Sequence, residues 1–217
     1  MEDKSTFEVC NPIVSQLELE AIFKPTTRGE HFAYWISKVG SPPVLVVLTL
    51  LLIALTASSP SIWLWNAAYL IAVIIPVLYL LRLLRQDKIT DMDVFVREQR
   101  ARPLLVTIVS LGSVLAVLIL GRAHRAMIIL TTASLVQAIA IFFITLRWKI
   151  SMHSATSAAV TVLILNVFGK AAAPVALSVP LIAWSRVKLR RHTFMQTVAG
   201  ALLGGGIFLT TILLVPL

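Results

Sequence analysis

Two histidines and a group of arginines carry the chemistry that this chain can do. They fall in three polar segments, each ending where an apolar run begins. Residues 91–103 read Asp91-Met92-Asp93-Val94-Phe95-Val96-Arg97-Glu98-Gln99-Arg100-Ala101-Arg102-Pro103, and 147–153 read Arg147-Trp148-Lys149-Ile150-Ser151-Met152-His153. The third has Ser185-Arg186, five residues, His192, three residues, then Gln196. Imidazole serves as nucleophile, acid or base, and guanidinium holds anions through a rigid fork of N–H groups. Pro103 suits a first helical position, where its missing N–H costs nothing. If each segment leads into a helix, three helix N-termini meet, and their free N–H groups favour a bound anion.

The charge distribution points the same way. All ten acidic residues lie between Glu2 and Glu98, and 99–217 contains no Asp or Glu while Arg and Lys continue. That half offers cations and histidines but no carboxylates. It favours an anionic substrate and disfavours a Mg²⁺ site, which is normally built from carboxylates. Membrane prenyltransferases and CDP-alcohol phosphotransferases need a second acidic cluster, which the acid-free half cannot supply. The lone cysteine, Cys10, allows neither an internal disulfide nor a cysteine metal cluster.

The three segments resemble the motifs of the type-2 phosphatidic acid phosphatase family. Those are Lys, six residues, Arg-Pro; then Pro-Ser-Gly-His; then Ser-Arg, five residues, His, three residues, Asp. Arg102-Pro103 matches the end of the first, Ser151 and His153 the second, and Ser185-Arg186 with His192 the third at its full spacing. The resemblance covers about half the chain. It departs at three places: Phe95 stands where the first motif has Lys, Ile150 and Met152 replace Pro and Gly, and Gln196 replaces the last Asp.

The resemblance implies a role for each residue. His192 would attack phosphorus and form a phosphohistidine, and His153 would protonate the leaving lipid oxygen and then activate water. Arg102 and Arg186, with Arg97, Arg100 or Lys149 replacing the missing lysine, would hold the phosphoryl oxygens. Ser151 and Ser185 would add hydrogen bonds. Gln196, or else Asp91 or Asp93, would orient His192. No metal or other cofactor is called for, because the arginines supply the positive charge.

The elements that must position these residues are membrane helices. Hydrophobic residues make up 58% of the 217-residue chain and charged residues 13%, against about a half and a quarter in soluble domains. Apolar runs near the ~20 residues that span a bilayer occur at 42–56, 62–81, 104–120, 126–146, 154–168, 171–184 and 194–217. The expected fold is an all-α polytopic bundle of six to seven transmembrane helices with the active site at one membrane face. Residues 1–41 form a polar interfacial or soluble segment, and 42–217 the transmembrane domain.

With these spans, the three motifs share a face with the N-terminal segment. That face carries 16 of the Lys and Arg residues, leaving only Arg122, Arg125 and Lys170 for the other. The positive-inside rule makes the motif face cytoplasmic, although a phosphate site would itself gather cations there. The expected partners are the bilayer and a membrane lipid phosphate, with its chains remaining in lipid; nucleic acid is not expected. Other readings are a weakened family member that binds lipid phosphate without turnover, or a small-anion transporter or scaffold.

Overall fold

In a computed structural model, residues 25–56 and 61–215 are described, and among them regular structure is helical throughout. The expectations for the first 24 residues, Cys10 and the turn at 58–60 lie outside them. Helix α1 (Arg28–Val39) starts at a capping box between Thr27 and Glu30, which satisfies two orphan donors reciprocally. It stops at Gly40, ahead of Pro42 and Pro43. A Cβ on Gly40 would stand 2.6 Å from the Ile182 side chain, so glycine permits the close approach there. The chain bends by 50° into α2 (Pro42–Thr56).

Helix α3 (Ser61–Arg85) returns beside α2, and Asn66 Nδ2 donates to Leu50 O at 2.9 Å. A loop with left-handed Asp87 and Val94 leads through a 3-10 turn (Arg97–Arg100) into α4 (Ala101–Leu120). The antiparallel α5 (Arg125–Thr145) is capped by the His124 side chain. Tyr69 on α3 donates to Ser134 on α5 at 2.8 Å. Helix α6 (Met152–Phe168) is capped by Ser151. A 3-10 stretch (Gly169–Leu177), α7 (Ser178–Lys188) and α8 (Phe194–Leu214) complete the chain.

The 3-10 stretch reverses the chain. The Ser178 hydroxyl lies 3.2 Å from that of Ser157, whereas a straight helix would separate residues 21 apart by about 30 Å. Gly169, at φ +63°, takes the left-handed conformation where α6 turns back. Both ends of 152–188 therefore meet at one end of the bundle, beside α1 and the 86–96 loop. Helices α6 and α8 pack most intimately. A Cβ on Gly200 would collide with Ser151 O and one on Gly204 with Ala155 O, a small-residue contact of the kind that joins membrane helices.

Exposure is inverted relative to a soluble protein. Leu120, Leu202, Leu213 and Leu214 are more than two-thirds exposed, while Arg100 and Arg186 are at most 2% exposed. Apolar surface on that scale belongs in lipid. Among the described residues, five stretches are long and apolar enough to cross a membrane, or six with the bent α1–α2 pair taken as one span. The apolar runs at 154–168 and 171–184 lie in one continuous helical stretch, 152–188, which the apolar pattern alone does not reveal.

Candidate active site

Arg186 lies in the last turn of α7, buried at the end where α1, α6 and α8 meet. Its Nη1 donates to Ser37 Oγ at 2.6 Å and to Asp93 Oδ2 at 2.7 Å. Its Nε is buried without a partner among the described residues. Burial alone would raise the Asp93 carboxyl, but Arg186, with His153 and Lys38, holds it well below the usual carboxylate range. Asp93 therefore pairs with Arg186 and is not the group that orients His192. Asp91 pairs with Arg191 and accepts the Phe95 N–H at 2.8 Å.

The second buried guanidinium belongs to Arg100. Its Nε donates to Val94 O at 2.8 Å and its Nη1 to Ile150 O at 3.0 Å, tying the first motif to the second. Arg102, expected at the site, is exposed. Helical register gives the reason. Arg100, Pro103 and Leu104 share the buried face, whereas Arg102 lies with the exposed Leu105 and Val109, about 200° away around the axis. Arg97 also turns away, donating to Leu146 O at 3.0 Å and pairing with Glu98.

His192 sits just before α8, 7% exposed. Its Nδ1 lies 3.1 Å from Gln196 Oε1, which also accepts the Thr193 backbone N–H at 3.2 Å. A backbone N–H can only donate, so the Gln196 atom is an oxygen and Nδ1 must carry hydrogen. That leaves Nε2 with its lone pair. Burial, then Arg186, Arg100 and Lys149, push the imidazole well below its usual pKa, against a smaller pull from the Gln196 bond. The ring is held neutral in one tautomer beside three cationic side chains.

His153, in the first turn of α6, is 6% exposed, and its Nε2 has no partner among the described residues. Lys149 Nζ lies 3.6 Å from the Phe95 ring centre. Burial and then the nearby Arg100, Arg186 and Arg191 push its pKa down to about 8. Of the two serines, Ser185 alone gives its hydroxyl proton to a backbone carbonyl. Ser151 Oγ accepts Ser154 N–H at 3.3 Å and sits 3.1 Å from Ser154 Oγ, and Ser185 donates to Ile182 O at 2.7 Å. Ser185 thus has no hydroxyl proton to offer an anion.

The structure therefore brings together Arg186, Arg100, Lys149, His153, His192 and Gln196, with Asp93 and Ser37 behind Arg186. It leaves out Arg97 and Arg102. Ser37 was not anticipated. Its only signal is its place one turn beyond Ala33 on the buried face of α1. Two buried nitrogens without partners among the described residues, the Arg186 Nε donor and the His153 Nε2, and an excess of cations form an arrangement that an oxyanion would complete. Comparison with protein-family models, curated proteins and solved structures finds no match.

Proposed function

We propose that this chain is an integral membrane lipid phosphatase that works through a phosphohistidine without a metal. The observation that carries the proposal is the neutral His192, fixed by Gln196 with Nε2 unprotonated, beside buried Arg186 and Arg100. His192 Nε2 attacks phosphorus, the bond from phosphorus to the lipid oxygen breaks, and His153 gives that oxygen its proton. Water then attacks the phosphohistidine as His153 takes a proton back, releasing inorganic phosphate. Arg186, Arg100 and Lys149 balance the charge on the equatorial oxygens. The resemblance to the type-2 phosphatidic acid phosphatases supports this reading, with Arg100 in place of Arg102.

The chain traverses the bilayer along α2, α3, α4, α5, α6, the arm formed by 169–188, and α8. All three motif segments then lie on the face that carries most of the Lys and Arg residues, which supports a cytoplasmic site. Candidate substrates are phosphatidic acid, phosphatidylglycerol phosphate and isoprenyl phosphates or diphosphates. The test is phosphate release by the detergent-purified protein in EDTA. Release from at least one of these lipids, lost in His192→Ala, is expected; release that EDTA abolishes contradicts the mechanism. A second reading, binding without turnover, draws on the neutral Gln196, which cannot stabilise an imidazolium as a carboxylate would. Tight binding of a lipid phosphate with no release would favour it.

A further inference from the structure

A partly open cavity of about 490 Å³ runs among α2 to α6. At its polar end stand Asp93, Arg100 and His153, and Lys38 lines it as well. Deeper in, its wall is mostly apolar, with Val73, Leu111, Leu130, Leu163 and Phe208, interrupted by Thr49, Ser134 and Gln137. That sequence of surfaces, charged at one end and mostly apolar beyond, is the polarity pattern of an amphiphile. Sequence reasoning left the substrate's chains in the bilayer, whereas this space lies inside the bundle and meets the site at His153.

We propose that the cavity holds the one hydrocarbon chain of a single-chain lipid phosphate whose head group lies among Arg100, Arg186 and His153. The head group rests on the phosphatase reading above, while the chain site rests on the cavity. A 150 Å³ apolar cavity takes one benzene, so this volume takes on the order of twenty carbon atoms, and two ordinary acyl chains would need about twice the space. Isoprenyl phosphates and monoacyl glycerol phosphates share this chemistry, and diacyl lipids do not. Burying the chain also supplies binding energy remote from phosphorus, which can be used to position the head group.

The experiment has a turnover arm and a binding arm. Phosphate release is compared for geranylgeranyl phosphate, oleoyl lysophosphatidic acid, dioleoyl phosphatidic acid and short isopentenyl phosphate. A kcat/KM at least tenfold higher for one or both of the long single-chain esters than for the diacyl lipid is expected, and the two single-chain arms tell isoprenyl from acyl. In Val73→Phe or in Val77→Phe, both positions lining the cavity, the ratio of geranylgeranyl to isopentenyl phosphate turnover falls at least tenfold. In the binding arm, a geranylgeranyl phosphate carrying a diazirine at its far end is photolysed on the wild-type protein and the adducts are mapped. Adducts at Leu111, Leu130 or Leu163 support the proposal. Adducts confined to outward residues such as Leu64 and Ile71, or equal turnover of one-chain and two-chain lipids, overturn it while leaving the phosphatase reading intact. Cavity adducts with no release from any ester keep the chain site and remove the phosphatase reading.

Discussion

Gln196 joins two motifs through one residue: its side-chain oxygen stands 3.1 Å from His192 Nδ1, and its backbone carbonyl accepts the Ser151 N–H at 3.2 Å. The His192 ring is thus aligned by an amide side chain whose own backbone is anchored to the turn that presents His153. The Thr193 N–H fixes which end of the amide faces the ring.

Replacing Gln196 changes rate and pH dependence separately. Gln196→Leu removes both the bond to His192 and the capping bond from the Thr193 N–H, and at least about a tenfold loss in kcat/KM is expected. Gln196→Asp places a carboxylate beside Nδ1. It stabilises imidazolium and raises the His192 pKa from its depressed value. At neutral pH turnover should rise, while the acid limb of the kcat/KM profile moves to higher pH, because His192 then stays protonated further up the scale. Profiles of both variants over the range where imidazole titrates check this. An unmoved acid limb in Gln196→Asp would place His192 outside the reaction.

Arg100 and Arg102 should behave as opposites although two residues apart. Arg100→Ala removes a guanidinium from the site, with an expected loss of about a hundredfold or more in turnover. It also strips the partners from Val94 O and Ile150 O, at about 1–3 kcal/mol for each carbonyl left buried and unpaired. Arg102→Ala, on the exposed face, should stay within about twofold of wild type. Turnover and thermal unfolding in detergent, measured together, separate the two effects. A larger activity loss at Arg102 than at Arg100 would restore the assignment read from the Arg-Pro pair.

Lys149 titrates near pH 8 because burial and its arginine neighbours disfavour the ammonium. Above that pH the free protein loses a positive charge beside Arg100 and Arg186, so under the proposed mechanism kcat/KM should decline as pH rises through about 8, mainly through KM. In Lys149→Arg the guanidinium stays charged, and that decline should disappear. An alkaline limb that survives in Lys149→Arg assigns it to another group.

The sequence made some of this site legible and hid the rest for identifiable reasons. Ser185, Arg186, His192 and Gln196 lie within one short stretch, so their spacing alone brings Arg186 and His192 near one another. Arg102 was misplaced because motif spacing fixes distance along the chain but not the face of a helix. The 3-10 turn at Arg97–Arg100 decides that face, turning Arg100 inward. Ser37 bonds Arg186 across 149 residues, a contact that local pattern does not encode. The all-helical character, with helices long and apolar enough to cross a membrane, was legible from apolar run lengths. The reversal at Gly169 was not, because a continuously helical stretch that doubles back has the same composition as two separate crossings.

The central claim is that His192 takes the phosphoryl group, and trapping the intermediate tests it most directly. Protein mixed with a radiolabelled lipid phosphate is quenched in alkali, digested and mapped. The account predicts label on the peptide containing His192, stable to alkali, released by acid, and absent from His192→Ala. Turnover at the wild-type rate in His192→Ala, or label fixed to any other residue, would contradict it.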